Sequence, residues 1–476
     1  MIIQKRKNRI ARNLTISVGA QIVSLLVSFV LNLIVPKYIS EYHYSLWHVF
    51  LLYIGYVGIL HFGLLDGIIL RYSQFDYEEL DKPKIRSQFK VMFFFLVLSS
   101  VISSLFISLF TSGDIRIAFF LVVVGIFSKN LFSYTSYLLQ ITNRIDKYAT
   151  VVITQRIGYM IFVLCLLLFR VENFVWFCLA ELFGDFLGFA VGTRYNKGLY
   201  FGKAIRNTEL LEETKNNISS GILLMVANLT SVLLVGSAKM ITQWRWDELM
   251  FGKVSFAFSI SNLFLTFVTA ISVVLFPSIK RMKQDRLPSL YREIRGIISP
   301  MLFYAMVLYF PGCLILSVWL PAYQSSIAYL GILLPIIIYS SKVSLLTNNY
   351  LKAYRKEKLM LIINLVIVAV AITLYIFSAY ILNNMTTLLV CLVFMIMIRS
   401  VVSEVVVMKV TGTSFIADFF VEAVMTIIFI ICANFLSSRN GLLVYLLSLG
   451  FYTLYNRKNI RNMIAHINKF IKRKVQ

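Results

Sequence analysis

The sequence predicts an all-α polytopic membrane protein with about fourteen transmembrane helices, twelve being the alternative count. Of its 476 residues, 59% are hydrophobic and only 14% are charged, which leaves too little polar surface to cover a soluble fold. Apolar runs of about 20 residues, the length that crosses a bilayer as a helix, also follow one another along the whole chain. Both observations exclude a water-soluble globule.

Apolar runs bounded by charged or turn residues mark the predicted spans. The first six lie near 14–35, 45–70, 91–111, 117–140, 149–169 and 173–192. After a polar stretch at 193–217, six more lie near 218–240, 251–277, 298–319, 325–347, 359–380 and 386–408. Two further spans, near 414–436 and 441–455, precede a basic tail. The predicted division is therefore an N-terminal six-helix lobe at 1–215, a C-terminal six-helix lobe at 216–410, and two additional helices with the tail at 411–476.

The basic residues predict the orientation of these spans. The net charge is +24, and the basic residues lie mainly in short segments between apolar runs, which indicates membrane topology rather than a nucleic-acid partner. If the N-terminus is cytoplasmic, the inner segments hold 35 Lys and Arg residues, Arg295 among them, and the outer segments hold five. Because basic loops stay on the cytoplasmic side, both termini are predicted to be cytoplasmic. The first apolar run is too long for a signal-peptide core and is predicted to be a retained span.

The connecting loops predict that the chain is not an enzyme. None is large enough to fold as a separate domain, and none has the spacing of a phosphate-binding, zinc-binding or hydrolase motif. The five cysteines lie singly within apolar runs and are interpreted as core residues. No cofactor is expected, and an energy source for transport, if one is used, would be a proton or sodium gradient.

Two cytoplasmic turns of the sequence resemble each other. Residues 136–147 read SYLLQITNRIDK and residues 349–358 read NYLKAYRKEK, so each has a Tyr-Leu helix end before a basic turn. Six spans separate the two turns, and because six is even, a duplication would relate two lobes of the same orientation. The alternative is that any cytoplasmic helix end has this composition.

Cations within the predicted spans are the first candidate functional residues. A charge at the centre of the bilayer costs at least about 2.5 kcal/mol, so these side chains are expected to face an interior, hydrated cavity. Pairing with a carboxylate is the alternative interpretation, and for the two lysines near helix ends so is snorkelling of the ammonium group to the interface. The six cations are Lys129, Arg156, Lys239, Lys253, Lys342 and Arg399.

Acidic residues within the spans form the second candidate set. They are Asp66, Glu181, Asp185, Glu404, Asp418 and Glu422. Glu181 and Asp185 are four positions apart, which places them about 40° apart around a helix, and Gly188 and Gly192 continue that stripe. This face is expected to pack closely. The carboxylate pair would either bind a coupling proton or cation, or neutralise Arg156 on the neighbouring helix. Asp66 has the same two interpretations.

Short motifs resemble a known family of exporters. They are Phe62-Gly63 to Asp66-Gly67 and Arg71 in the second span, Phe256–Leu263 and Leu275–Arg281 in the eighth, and Tyr350–Ala353 after the tenth. These residues resemble the polysaccharide-export branch of the multidrug/oligosaccharidyl-lipid/polysaccharide (MOP) superfamily, and most of all its Wzx-type O-antigen flippases. The resemblance covers about 430 residues. It implies two six-helix bundles that face each other across a cationic central cavity.

The same resemblance implies a substrate and a mechanism. The substrate would be an undecaprenyl-pyrophosphate-linked oligosaccharide made on the cytoplasmic face of the bacterial inner membrane. The headgroup would enter the cavity while the polyprenyl tail stays in the lipid bilayer, and one bundle would then rock against the other. Lys and Arg would attract the diphosphate, and Tyr53, Tyr56 and Tyr134 would either stack on sugars or serve only in helix packing. A polysaccharide polymerase and a chain-length regulator are implied partners.

Several other functions compete with this interpretation. A lipid II flippase of the same superfamily also has fourteen spans. A multidrug exporter would carry cationic substrates, which favour a cavity rich in carboxylates rather than one rich in cations. A membrane polysaccharide polymerase or ligase usually has one large outer loop, whereas no outer loop here exceeds about 15 residues. A membrane scaffold without transport activity is the remaining alternative.

Overall fold

The computed structural model describes residue 19, residues 23–280 and residues 286–457. All regular secondary structure in these ranges is helical. Twelve helices in this part of the chain are long and apolar enough to cross a bilayer, which confirms the all-α polytopic fold class. The predicted N-terminal cations, such as Lys5 and Arg12, and the tail cations from Lys458 onward lie outside the described residues.

The chain divides into two compact units between Gly236 and Ser237. The first unit contains eight complete helices, of which α3 and α8 are short, and the first part of a ninth. They are α1 (Val23–Tyr38), α2 (Glu41–His61), α3 (Leu64–Tyr72), α4 (Lys82–Phe110), α5 (Gly113–Ile141), α6 (Ile145–Leu168), α7 (Phe174–Tyr195), α8 (Lys197–Tyr200) and the first part of α9 (Asn207–Arg245). Helix α7 packs against both α5 and α6.

The second unit contains the end of α9 and seven further helices. They are α10 (Glu248–Lys280), α11 (Leu287–Trp319), α12 (Ser326–Ala353), α13 (Glu357–Ile381), α14 (Met385–Thr411), α15 (Ile416–Phe435) and α16 (Ser438–Tyr455). Helices α1 and α16 are not among the twelve long apolar helices and occupy the positions of the predicted first and fourteenth spans.

The division into units does not coincide with the predicted boundaries at 215 and 410. The unit boundary falls inside α9, a 39-residue helix that begins at Asn207 within the polar segment expected to separate the lobes and continues without a break to Arg245. Helices α15 and α16 belong to the second unit rather than standing apart, since α15 packs against α12.

Helix α12 forms the core of the second unit. In its most apolar window 89% of the residues are buried, against 11% for α4, whose side chains are exposed as expected for a helix that faces lipid. The α-helical hydrogen bonding of α12 is interrupted before Ile336 by Pro335, which lacks a backbone N–H, and again by a π-helical turn at Val343–Thr347. Lys342 lies between these two interruptions.

Glycines bring α3 and α9 into close contact within the first unit. A Cβ atom on Gly67 would lie 1.9 Å from the backbone oxygen of Asn217, and one on Gly221 would lie 2.1 Å from the oxygen of Gly63. Gly63 begins the turn into α3 with a φ of +80°, a left-handed conformation that side chains disfavour. The backbones of the two helices therefore touch directly.

Replacing Gly67 is expected to force these two helices apart. We expect Gly67→Ala to lower the free energy of unfolding by about 1–3 kcal/mol, because the new methyl group would meet backbone atoms that cannot rotate away. Gly58→Ala is the matched control, since a Cβ atom there would meet nothing within 4 Å. Thermal unfolding of the purified variants in detergent measures the effect. Equal melting temperatures for the two variants would contradict the contact.

The two similar turns, predicted to be cytoplasmic, also share a backbone conformation. Asn143 has a φ of 55° and follows α5, whereas Arg355 has a φ of 55° and follows α12. In each turn the following residue donates its N–H to a carbonyl five positions earlier, from Arg144 to Leu139 and from Lys356 to Leu351. The same geometry occurs after α6, where Arg170 has a φ of 53° and Val171 donates its N–H to Leu166, so it does not distinguish a duplication from the ordinary end of a helix.

Candidate functional site

The first unit contains a cluster of charged residues, which we call cluster 1 and define as the half-buried cations Lys129 and Arg156 and the buried carboxylates Glu181 and Asp185. The Lys129 ammonium on α5 lies 2.5 Å from Glu181 and 3.1 Å from Asp185, both on α7. Gln155 donates to Asp185 over 3.1 Å. The cluster therefore joins the three helices α5, α6 and α7 inside the apolar unit.

Close helix packing positions the carboxylates of cluster 1. The predicted glycine stripe does pack tightly: a Cβ atom on Gly188 would lie 2.8 Å from the ring of Phe132, and one on Gly192 would overlap Thr135. Gly184, which was not predicted as part of the stripe, approaches the backbone oxygen of Gln155 in the same way. These small residues let α7 lie close enough to α5 for short contacts with Lys129.

Charge is balanced within cluster 1. Neutralisation of Arg156 was one of the two predicted roles of Glu181 and Asp185, the other being to bind a coupling proton or cation. The structure places Lys129 in direct contact with both carboxylates. Arg156 acts on Glu181 electrostatically, without a salt bridge among the described residues. Two cations therefore face two carboxylates. The charge of Lys129, a predicted cavity cation, is compensated by residues of its own unit, which is the alternative interpretation of pairing with a carboxylate.

The second unit contains a larger network, which we call cluster 2 and define as Arg295, Lys342, Glu404, Asp418 and Glu422. Arg295 on α11 donates to all three carboxylates, over 2.6 Å to Glu404, 2.9 Å to Asp418 and 3.2 Å to Glu422. Lys342 is completely buried, lies 2.6 Å from Glu422 and also contacts Glu404. Cluster 2 thus joins helices α11, α12, α14 and α15.

Cluster 2 changes the interpretation of two residues. Lys342, predicted as a cavity cation, is enclosed by protein and paired with two carboxylates. Arg295, counted in the sequence as a cytoplasmic loop residue, is 3% exposed at the centre of the network. The signal for Arg295 was present, since it continues a helical stripe of buried residues through Tyr291, Ile298 and Leu302. The helix begins at Leu287, earlier than the apolar run from which the span was predicted.

Topology relates the two clusters. In each unit a lysine on the fourth predicted span pairs with a carboxylate on the sixth: Lys129 with Glu181 in the first unit, and Lys342 with Glu404 in the second. The same arrangement in both units agrees with the duplication hypothesis.

Asp66 is a buried carboxylate outside both clusters. Its carboxylate lies 3.7 Å from Nε2 of His61 and accepts a long hydrogen bond of 3.5 Å from Asn228. The backbone N–H of Gly63 donates to Nδ1 of His61, so in the neutral ring Nε2 carries the proton and faces Asp66. No lysine or arginine of the described residues forms a salt bridge with Asp66.

The remaining predicted cations lie near the ends of helices or within α14. Lys239 on α9 places its ammonium 5.4 Å from the ring centre of Phe258 on α10, and neither Lys239 nor Lys253 forms a salt bridge with a described residue. Arg399 on α14 is not a member of cluster 2.

The predicted sugar-stacking tyrosines have different surroundings. Tyr134 is completely buried and donates its hydroxyl to the backbone oxygen of Ile85, so it serves in packing. Tyr53 and Tyr56 line an apolar cavity of about 360 Å³ between α2, α4 and α5.

Comparisons with known proteins identify the fold. No family model matches the sequence, and neither does any curated protein. The lipid II flippase MurJ in an inward closed conformation matches with a TM-score of 0.66 and 14% identity, over 93% of this chain and 98% of that chain. An inward-facing multidrug resistance MATE family transporter of the MOP superfamily matches with a TM-score of 0.61 and 14% identity, over 83% of this chain and 100% of that chain. A MATE structure in complex with MaL6 matches with a TM-score of 0.57 and 13% identity, over 85% of this chain and 96% of that chain. The chain therefore shares the fold of these flippase and transporter structures.

Proposed function

We propose that this protein is a flippase that moves undecaprenyl-pyrophosphate-linked oligosaccharide units, of the O-antigen or capsule type, from the cytoplasmic to the outer leaflet of a bacterial inner membrane. The mechanism would be alternating access, in which the headgroup crosses inside the protein while the polyprenyl tail stays in the bilayer. The reaction needs no covalent chemistry by the protein, so we propose no enzymatic activity. A polysaccharide polymerase and a chain-length regulator are the proposed partners.

Two lysines of the second unit, Lys239 and Lys253, carry this proposal because neither forms a salt bridge with a described residue. Both lysines are half-buried within apolar helices. A cation in such a place is costly unless an anion reaches it, and a pyrophosphate would supply that anion during transport. A multidrug exporter for cationic compounds would instead favour a cavity rich in carboxylates. A polymerase or ligase is disfavoured by the short outer loops.

A lipid II flippase is the second candidate function. The TM-score of 0.66 to MurJ, over nearly the full length of both chains, favours it. Similarity of fold at 14% identity does not establish which substrate is transported. The two flippase functions must therefore be distinguished by testing each substrate.

A reconstituted transport assay tests the proposal. The full-length protein in proteoliposomes is given an undecaprenyl-pyrophosphate-linked oligosaccharide, lipid II or a cationic dye, and a reagent confined to one side reports which molecules have crossed. We expect translocation of the linked oligosaccharide and none of the dye. Translocation of lipid II alone would support the second candidate, and translocation of the dye alone would contradict both flippase functions.

We further propose that Asp66 couples transport to a proton gradient. Its carboxylate is buried and faces a neutral imidazole and an amide rather than a cation, so protonation would remove a charge that nothing in its surroundings compensates. Glu181 and Asp185, the other predicted coupling residues, are compensated within cluster 1 and are proposed to be structural.

Replacing Asp66 is expected to uncouple transport from the gradient. In proteoliposomes, an imposed pH gradient should accelerate wild-type translocation, whereas Asp66→Asn should translocate at the same rate with and without the gradient. Asp76→Asn is the control, because Asp76 is exposed in the loop after α3. If Asp66→Asn retains the full response to the gradient, Asp66 is not the coupling residue.

A further inference from the structure

A polar cavity lies at the predicted cytoplasmic end of the first unit. It has a volume of about 500 Å³ and is formed by the end of α3, the loop at 73–81 and the start of α4. This volume lies in the range of small-molecule binding sites. Residues that line it include Arg71, Gln74, Phe75, Glu79, Asp81 and Lys84.

One wall of the cavity is fixed by α9. Arg71 donates to both oxygens of Glu213, over 2.6 and 3.1 Å, and to Asn217 over 2.7 Å. The hydroxyl of Tyr72 donates to the same Glu213 carboxylate over 2.6 Å. Burial and this hydrogen bond raise the pKa of the Tyr72 phenol, which keeps it a neutral donor. The charge of Arg71 is therefore compensated before any ligand arrives.

The opposite wall is held by the start of α4. Asp81 caps this helix by accepting from the N–H of Lys84 over 3.1 Å, and its carboxylate lies 3.6 Å from the Lys84 ammonium. Glu79 accepts from the N–H of Asp76 over 3.2 Å, which closes the loop between the two walls. The lining thus contains two cations and two carboxylates, and its net charge is zero. A phosphate entering the cavity would meet Glu79 and Asp81 as well as the cations.

An aromatic ring is available between these polar walls. Phe75 is 37% exposed in a loop whose neighbours are charged or polar, and its ring centre lies 6.3 Å from that of Tyr72. An exposed ring beside carboxylates and the Gln74 amide is suited to a neutral sugar. The apolar face of the sugar packs on the ring, and its hydroxyl groups donate to the carboxylate oxygens.

We propose that this cavity docks neutral sugars of the lipid-linked oligosaccharide on the cytoplasmic side, before the headgroup enters the translocation route. The inference rests on the proposed flippase function. Leu70, which is 51% exposed one turn from Gln74, places the cavity at the boundary of the apolar span. A substrate whose tail remains in the cytoplasmic leaflet can therefore bring its sugars to this cavity.

Protection of an introduced cysteine tests the docking site. Gln74→Cys in the full-length protein, held in nanodiscs, is labelled with a polar maleimide, and labelling of the unmodified chain is subtracted. The probes are an undecaprenyl-pyrophosphate-linked N-acetylglucosaminyl disaccharide, the free disaccharide, and undecaprenyl pyrophosphate without sugar. We expect both sugar-containing probes to slow the labelling and the sugar-free lipid to leave it unchanged. Phe201→Cys, whose parent side chain is 67% exposed outside the cavity, should be labelled equally with every probe.

Substitutions of residues that line the cavity test whether the protection depends on the cavity. Phe75→Ala and Glu79→Ala, each combined with Gln74→Cys, should raise the disaccharide concentration needed for protection by about tenfold, which corresponds to loss of about 1.4 kcal/mol of binding free energy. Equal protection by undecaprenyl pyrophosphate alone would show an anion site and overturn the proposal. The proposal would also be overturned if neither sugar probe slowed the labelling, or if Phe75→Ala left the protection unchanged.

The outcome separates this inference from the proposed function. If sugars protect position 74 but the protein translocates none of the substrates, the docking site is supported and the flippase function is contradicted. If the protein translocates the substrate but sugars do not protect position 74, only the docking site is contradicted.

Discussion

Arg295→Ala is expected to lower the free energy of unfolding more than the loss of any other single cation of the two clusters. Arg295 donates to three carboxylates, and only Lys342 would remain to compensate them in the variant. Breaking a buried ion pair by removing one partner typically costs about 3–5 kcal/mol, because the remaining charges stay buried. Thermal unfolding of the purified protein in detergent should show a large fall in melting temperature, and the yield of folded protein should fall with it.

Arg292→Ala is the matched control for this prediction. Arg292 lies on the same helix α11 but is exposed, so its removal should change the melting temperature little. Equal melting temperatures for the Arg292 and Arg295 variants would show that cluster 2 does not hold α11 and α15 together. Protein that folds normally without Arg295 would contradict the network in the same way.

Lys239→Gln is expected to abolish most of the transport activity while leaving the fold intact. The Lys239 ammonium contacts the ring of Phe258 and has no carboxylate partner among the described residues. Removing this charge should therefore relieve a desolvation cost in the resting protein and remove an attraction for the pyrophosphate. We expect translocation in proteoliposomes to fall at least about tenfold, with a melting temperature equal to or above that of the wild type.

Two further variants control for charge and for position. Lys239→Arg should retain most of the activity because it keeps the positive charge. Lys358→Gln, which removes an exposed charge from the start of α13, should leave translocation unchanged. Wild-type transport by Lys239→Gln would indicate that this lysine only extends to the membrane interface, as the competing interpretation holds.

The fold was predictable from the sequence because the bilayer imposes a simple pattern. Each span must satisfy its backbone hydrogen bonds internally, so apolar length alone marks the helices. The pattern was weakest at the polar segment 193–217, where a domain boundary was expected. Helix α9 begins at Asn207 and continues to Arg245, because polar residues in the extension of a helix beyond its apolar span do not end the helix.

The candidate site was only partly predictable for a different reason. The membrane-embedded charges could be found by position in the sequence, but their partners depend on the rotation and depth of each helix. Lys129 and Arg156 looked equivalent, yet only Lys129 contacts the carboxylates of α7. Arg295 was missed because it lies one helical turn outside the apolar run, although its spacing from Tyr291 and Ile298 placed it on the buried face.

The sidedness of the lipid-linked oligosaccharide in cells that lack this protein tests the central claim most directly. A probe that reaches only the outer leaflet is applied to these cells and to cells complemented with the intact gene. The flippase function predicts that complete units accumulate on the cytoplasmic side and reach the outer leaflet only when the protein is restored. Units that reach the outer leaflet without the protein, but remain unpolymerised or unattached there, would contradict it and favour a polymerase or ligase.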